Sequence, residues 1–120
     1  MILVDSSVWI DHFRGKESRL AVLLNEEQVV IHPFVIGELA LGSLKNRGQV
    51  LHNLRMLPQI SPANDEETLE WIERRRIFGK AIGWIDAHLL LSCILSNTEL
   101  WTADKPLASV ARICGARLHS

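Results

Sequence analysis

Four acidic residues lie inside apolar segments of the chain or directly after them: Asp5, Glu38, Asp86 and Asp104. No Lys or Arg occurs within residues 1–13, 28–44 or 81–103, so the first three acids have no cation in their own segment. A carboxylate on an inward-packing face is costly unless its charge is compensated. Clustered carboxylates are relieved by protonation or by a hard cation, and Mg²⁺ and Mn²⁺ prefer oxygen ligands. The pattern predicts a four-carboxylate site for Mg²⁺ or Mn²⁺.

Glu38 is the acid whose surroundings are most informative. Phe34 and Val35 precede it by about one helical turn, and Leu41 and Gly42 follow it by the same spacing. Residues at this spacing share one helix face, which the apolar neighbours predict to be packed inward. A mid-helix acid has no capping role, although an arginine from another helix is an alternative partner.

The other three acids each have a simpler structural interpretation. Asp5 has the position of a helix N-cap, and Asp86 follows Gly83 closely enough to serve only the helix dipole. Asp104 suits an ordinary turn. Four such positions in one small domain are explained more economically by one shared site. We therefore expect Asp5 to end its strand and cap the following helix while also facing a cation.

Two hydroxyl residues stand near the predicted acids in sequence, whereas the other metal-ligand types show no ligand spacing. Ser7 and Thr102 fit as supporting hydroxyls that orient a carboxylate or a water, or simply as a cap and a strand residue. The five histidines lack His-x-x-x-His spacing, and Cys93 and Cys114 lack the spacing of metal ligands. A zinc site is therefore not expected.

Short strands alternate with helices along the chain. Apolar runs predict strands at residues 1–4, 28–31 and 99–102, with a further short strand at 58–62. Periodicity and end signals predict helices over residues 6–14, 17–26, 34–44, 48–57, 65–79, 84–95 and 105–113. This alternation favours an α/β fold with a mainly parallel central sheet flanked by helices in three layers.

Composition predicts one globular domain spanning residues 1–120. The chain has 48% hydrophobic and 22% charged residues and a net charge of −1, which disfavours both disorder and a broadly basic nucleic-acid binder. No stretch has the features of a signal peptide or a membrane span, so we expect a soluble cytoplasmic protein, not associated with membranes, whose cysteines are free.

A four-carboxylate metal site suits phosphodiester hydrolysis, because a divalent cation activates water and neutralises phosphate charge. Phosphate contacts are available from Arg74, Arg75, Arg76 and Lys80, and separately from Lys45 and Arg47. The alternative is that the three arginines close a helix and pair with acids one turn away, such as Glu70.

The acids and their neighbours resemble the PIN-domain family, and specifically the VapC toxins of toxin–antitoxin pairs. The matching stretches are VDSSVWID, VIGELALG, GWIDAHLL and LWTADKPLA, in the family's order and across almost the whole chain. The resemblance implies an Mg²⁺- or Mn²⁺-dependent endoribonuclease with Asp5, Glu38, Asp86 and Asp104 as its acidic site and Ser7 and Thr102 in support.

Partners are also implied by the resemblance. Relatives are inhibited by a co-expressed antitoxin whose tail lies in a groove between helices, and they commonly form dimers. Apolar residues beyond those a small core needs agree with such a groove, among them Trp9, Phe13, Leu23 and Leu44. The expected partners are therefore an antitoxin protein, an RNA substrate and a second copy of the chain.

One position departs from the family pattern. Many relatives carry a polar or charged residue two positions after the last acid, where this chain has Pro106. No fifth acid is therefore assigned, and Asp104 is expected to be the weakest of the four ligands.

Three other functions compete with this interpretation. A haloacid-dehalogenase-type phosphatase needs Asp-x-Asp after the first strand, and a receiver domain needs an acid pair there, whereas this chain has Asp5-Ser6-Ser7. A non-catalytic module that holds a structural cation or a basic partner, and a DNA nuclease of related fold, use the same acids and remain open. Metal-dependent cleavage would exclude the non-catalytic module, and a comparison of RNA and DNA substrates would separate a ribonuclease from a DNA nuclease.

Overall fold

The computed structural model describes residues 1–120 and places a parallel three-stranded sheet at the centre of the protein. Its strands are β1 (Ile2–Val4), β2 (Val29–Val30) and β3 (Glu99–Trp101), in the order β2-β1-β3. Leu3 of the central strand pairs with Val30 on one side and with Leu100 on the other. The sheet is parallel, as its apolar runs predict.

Single bridges widen the sheet at both edges. Ile31 pairs with Gln59 beyond β2, and Leu100 pairs with Leu118 beyond β3. The strand predicted at 58–62 is therefore one bridge rather than a full strand. The C-terminal segment, for which no strand was predicted, also contacts the sheet, since the amide of His119 donates to the carbonyl of Leu100 at 2.9 Å.

Seven helices surround this sheet: α1 (Ser6–Phe13), α2 (Arg19–Asn25), α3 (Pro33–Ala40), α4 (Arg47–Arg55), α5 (Asp65–Arg75), α6 (Trp84–Ser96) and α7 (Lys105–Ile113). Helix α3 packs on α1 and α4, while α6 packs on α5 and β3. The α/β architecture with helices flanking a parallel sheet agrees with the prediction. No helix combines the length and the apolar character needed to cross a membrane.

Two helices end earlier than predicted. Helix α3 stops at Ala40 rather than at residue 44, and the Arg47 guanidinium donates to the carbonyls of Ala40 and Gly42. Helix α5 starts with a capping box between Asn64 and Glu67, then ends when Arg76 enters the left-handed region at φ 53°. These C-terminal ends are fixed by a distant donor and a local backbone state, which periodicity does not reveal.

The hydrophobic core forms around both faces of the sheet. Leu3, Leu100, Leu89 and Leu90 are fully buried, and every residue of β1 is buried. A sheet covered on both faces explains why its strands are continuous apolar runs without polar alternation. Only the ends of the strands are left for polar side chains.

This arrangement predicts a large stability cost for truncating the central strand. Leu3→Ala should lower the free energy of unfolding by about 2–5 kcal/mol, because it leaves a cavity in a fully buried site. Leu95→Ala makes the same chemical change at a side chain that is 59% exposed, and should change stability by less than about 0.5 kcal/mol. Urea unfolding measures both, and equal costs would contradict this core assignment.

Candidate functional site

The four predicted acids come together at one edge of the sheet. Asp5 directly follows β1, and Asp104 follows β3 as the N-cap of α7. Glu38 lies on α3, which follows β2, and Asp86 lies in the first turn of α6. Carboxyl ends of parallel strands share one edge, so the fold order alone brings these segments together.

Asp5 is the most buried of the four, with 4% of its surface exposed. Its Oδ2 accepts a hydrogen bond from the Ser7 hydroxyl at 2.7 Å and another from the Thr102 hydroxyl at 2.8 Å. Asp5 is the N-cap residue of α1, but its side chain makes no capping hydrogen bond. The expectation that this carboxylate caps the helix is therefore wrong, since both hydroxyls orient it toward the site instead.

The same two hydroxyls tie two chain junctions together. Ser7 Oγ and Thr102 Oγ1 lie 3.4 Å apart. Ser7 Oγ also accepts from the amide of Ala103, and Thr102 Oγ1 accepts from the amide of Asp104, both at 3.0 Å. Ser7 and Thr102 thus hold the β1–α1 junction against the β3–α7 junction. Both hydroxyls contact the Asp5 carboxylate, as expected of residues that orient a carboxylate.

Glu38 is half-buried and has no arginine partner. Its Oε1 accepts a hydrogen bond from the Ser6 hydroxyl at 3.2 Å. Burial raises the pKa of Glu38 above its ordinary value, the Ser6 hydroxyl acts against this rise, and the charges of Asp5 and Asp86 add to it. Sequence reasoning missed Ser6, although its place beside Ser7 after a site acid was a signal that was available.

Asp86 has a local structural role as well as a place in the cluster. Its Oδ2 accepts a hydrogen bond from the amide of Gly83 at 3.3 Å, so the alternative of a helix-start role is partly correct. Burial raises the pKa of Asp86, the Gly83 amide opposes the rise, and the charges of Asp5 and Asp104 add to it. Glu38 and Asp86 therefore each respond to the charges of two neighbouring acids.

Each acid keeps at least one oxygen that no protein donor reaches. Asp5 and Asp86 are each bonded only through Oδ2, and Glu38 only through Oε1. The Asp104 carboxylate makes no capping hydrogen bond to its helix. One oxygen is thus held in place while another is available to a cation or a basic partner.

Other ligand types do not join the cluster. No group of three or more His, Cys, Asp or Glu side chains stands close enough to form a ready metal cage. His32 caps α3 by accepting from the amide of Phe34 at 2.9 Å, and burial lowers its pKa to about 4. His88 lies 3.0 Å from Asp65, and His119 pairs with Glu99. These three histidines make their contacts with other parts of the fold and not with the four acids.

The predicted phosphate-binding cations separate into different environments. Arg47 is occupied at the end of α3, as described above. Arg74 lines a shallow depression together with Glu70 and Glu73. Arg75 donates to the carbonyl of Ile113 at 3.3 Å, and none of the cations in residues 74–80 forms an ion pair. The alternative in which these arginines pair with acids of α5 such as Glu70 is therefore not observed.

Comparison with known proteins matches the chain over nearly its full length. The PIN domain family model matches residues 2–113. "Ribonuclease VapC32" of Mycobacterium tuberculosis, from the strains CDC 1551 / Oshkosh and ATCC 25618 / H37Rv, is 44% identical over 119 residues, covering 98% of this chain and 96% of the relative.

Solved structures share the fold at low identity. A complex described as FitAB bound to an IR36 DNA fragment contains a chain that superposes with a TM-score of 0.65 at 15% identity, covering 99% of this chain and 94% of that one. PAE2754 from Pyrobaculum aerophilum superposes with a TM-score of 0.59 at 17% identity, covering 95% and 96%. At these identities the likeness concerns the fold alone.

The raised pKa values of Glu38 and Asp86 predict that these acids destabilise the metal-free protein. For each, the folded-state pKa exceeds the unfolded value, so the folded protein binds more protons between the two values and its stability falls as the pH rises. The double variant Glu38→Gln/Asp86→Asn should therefore have a higher Tm than the wild type at pH 7 without divalent cations.

The difference in Tm between the double variant and the wild type should narrow as the pH falls toward about 4, where the pKa values of Asp and Glu lie in the unfolded chain. Thermal unfolding by circular dichroism in EDTA measures it. Glu66→Gln is the control, because it removes an exposed acid from the first turn of α5 and should leave the Tm unchanged or slightly lower. A double variant less stable than the wild type at pH 7 would contradict the electrostatic description of the cluster.

Proposed function

Because the chain belongs to the VapC group of the PIN-domain family, we propose that it is the ribonuclease toxin of a toxin–antitoxin pair, a metal-dependent endoribonuclease that hydrolyses phosphodiester bonds in RNA. The observation that carries the proposal is the convergence of Asp5, Glu38, Asp86 and Asp104 at one sheet edge, each with a free oxygen. The 44% identity over almost the full length to a protein named ribonuclease supports it.

The donor set fits Mg²⁺ or Mn²⁺. All four candidate ligands are carboxylates, and no histidine or thiol lies among them to favour zinc. Because the acids form no ready cage, some would contact the cation directly and others through water, which Mg²⁺ retains readily. Asp5, Glu38 and Asp86 are the proposed main ligands and Asp104 the weakest. A bound divalent cation supplies Lewis-acid activation of water and neutralises phosphate charge.

The chain's own residues set the geometry for this chemistry. The hydroxyls of Ser7 and Thr102 hold the Asp5 carboxylate through Oδ2 and leave Oδ1 without a protein donor. Ser6 holds Glu38 in the same way through Oε1. Oxygens held in advance lose little freedom when a cation and a phosphate arrive, which is how preorganised sites stabilise a developing charge.

A groove that Glu38 helps to line is the proposed antitoxin site. It has a volume of about 500 Å³, and half of its lining residues are hydrophobic, with Ile10, Phe13 and Leu44 among them, while Arg14 and Lys45 also line it. Ile10 and Phe13 are each more than a third exposed, which is unusual for side chains of this size unless a partner covers them. A basic side chain from the antitoxin would be attracted to the free Glu38 oxygen at the end of this groove.

Assembly and location follow from the family. We propose that the toxin forms a homodimer and associates with its antitoxin in a hetero-oligomer, acting on cytoplasmic RNA. The free thiols of Cys93 and Cys114 agree with a reducing compartment.

The first prediction of this proposal concerns cleavage. Purified, antitoxin-free protein should cut a mixed pool of cellular RNA into discrete fragments with Mg²⁺ or Mn²⁺, and the fragments should vanish in EDTA. Asp5→Asn and Glu38→Gln should each reduce the rate by roughly a hundredfold or more, because a lost ligand removes several kcal/mol of charge stabilisation. Both variants should keep the wild-type circular dichroism spectrum.

Substrate comparison separates the competing functions. A DNA strand of matched sequence should be cut much more slowly than RNA, whereas equal rates would indicate a general nuclease. Absence of cleavage with every metal would favour the non-catalytic binding module. Full activity of either acid variant in Mg²⁺ would show that the proposed site is wrong.

The supporting hydroxyls give a second, smaller prediction. Ser7→Ala should lower metal affinity or activity by roughly 10- to 100-fold, the range for residues that orient a metal ligand. Ser109→Ala is the matched control, since it removes an exposed hydroxyl on α7 and should have no effect. Activity of Ser7→Ala equal to that of the control would mean that Asp5 needs no orientation by this hydroxyl.

A further inference from the structure

A partly exposed indole stands at the start of the helix that carries Asp86. Trp84 is the first residue of α6, and the Asp86 carboxylate accepts a hydrogen bond at 3.3 Å from the amide of Gly83, the residue directly before Trp84. The Trp84 side chain is 41% exposed. Its ring meets the ring of His88 edge to face, with centroids 4.4 Å apart and an interplanar angle of 85°. Protein therefore fixes one side of the indole, while a large part of it stays open to solvent.

The side chain beneath this indole is buried and held by neighbouring groups. His88 is only 1% exposed, and its Nε2 lies 3.0 Å from Asp65 Oδ1. The ring of Phe34 lies 4.9 Å from that of His88. Phe34 belongs to α3 and lies one turn before Glu38. His88 therefore lies between Trp84 and the helix that carries Glu38. An aromatic ring with a fixed position and an open surface is suited to stacking on a planar partner.

Positive charge lies at the other end of the α5–α6 connection. Arg75 contacts the carbonyl of Ile113, and both Arg75 and Lys80 lie near enough to Cys114 to act on its thiol electrostatically. Arg112 is exposed in the last turn of α7, two residues before Cys114. We name Arg75, Lys80 and Arg112 the basic strip. None of the three forms an ion pair, although the chain carries a net charge of −1.

The connection of residues 76–83 links the basic strip to Trp84. It starts where α5 meets the C-terminal end of α7 and ends at the first turn of α6, beside Asp86. Phe78 adds a second exposed ring along it, with 59% of its surface accessible. Exposed rings combined with unpaired cations are the features that bind single-stranded nucleic acid, because bases stack on the rings and phosphates pair with the cations.

We propose that Trp84 stacks an unpaired base next to the scissile phosphate, and that the RNA strand then follows residues 76–83 to the basic strip. This inference rests on the proposed ribonuclease function and adds the path of the substrate to it. The stacked base must be unpaired at this position, since a base within a duplex presents no free face. Trp84 would be a binding residue and would take no part in the chemistry.

Kinetics of the wild type and of Trp84→Leu test the stacking. On a single-stranded RNA that the wild type cuts, Trp84→Leu should raise KM by roughly 5- to 150-fold, the range for one lost stacked base, with kcat nearly unchanged. Trp84→Phe should restore most of the affinity, because it keeps an aromatic face. Leu95→Ala, at an exposed apolar position elsewhere on α6, is the control and should keep both constants.

Salt dependence tests the basic strip. The probe is a short, fluorescently labelled, single-stranded oligoribonucleotide of mixed sequence, bound to the Asp5→Asn protein so that it stays intact. Lys80→Gln/Arg112→Gln should reduce the slope of log affinity against log salt by about 0.7 for each cation removed. Arg55→Gln, at an exposed cation on α4 outside the strip, should leave the slope unchanged.

The outcomes separate this inference from the proposed function. If the wild type cuts RNA but Trp84→Leu keeps its KM and the double variant keeps its salt slope, the substrate path is wrong and the ribonuclease proposal stands. If these variants weaken antitoxin binding alone, the surface is a protein interface. If the wild type neither cuts nor binds RNA, both proposals fail. A Tm of Trp84→Phe close to that of the wild type shows that the fold is intact.

Discussion

The arrangement of this protein depends on the hydrogen bonds that two hydroxyls donate to Asp5. Ser7 and Thr102 reach the same carboxylate oxygen from junctions that are 95 residues apart in sequence. They thereby fix the loop after β1 to the loop after β3, and they leave the other oxygen of Asp5 without a hydrogen bond from the protein. With Asp5 held in this way, the placement of Glu38 and Asp86 follows from how α3 and α6 pack beside the sheet.

The acids that the proposed function needs also lower the stability of the metal-free fold. Burial and mutual repulsion raise the pKa of Glu38 and of Asp86, so the fold carries acids that it would hold more easily if they were neutral. The sheet and its buried leucines supply the stability that tolerates this cost. A divalent cation would relieve this repulsion, and so would a basic side chain from an inhibitor. In the proposed function, metal binding and inhibition would therefore both depend on a positive charge at the same carboxylates.

Much of the fold and the identity of the acids could be predicted from sequence. Continuous apolar runs identified the three strands because both faces of a parallel sheet are covered, and the absence of nearby cations singled out the acids. Sequence did not give the end of α3, which Arg47 fixes from α4, or the sheet contact of Leu118, which depends on tertiary packing. It also missed Ser6, and it assigned Asp5 a capping bond, because the partner of a short polar side chain is decided by which neighbour the fold brings within reach.

The central claim is that the four acids act together on one divalent cation. Its most direct test is Mn²⁺ binding followed by electron paramagnetic resonance, in the wild type and in Asp5→Asn, Glu38→Gln, Asp86→Asn and Asp104→Asn. The claim predicts that Mn²⁺ binding weakens in every variant, least for Asp104→Asn, and that a second substitution adds less than the first because both act at the same site. Unchanged Mn²⁺ affinity in Asp5→Asn or Glu38→Gln, or fully independent effects, would contradict it.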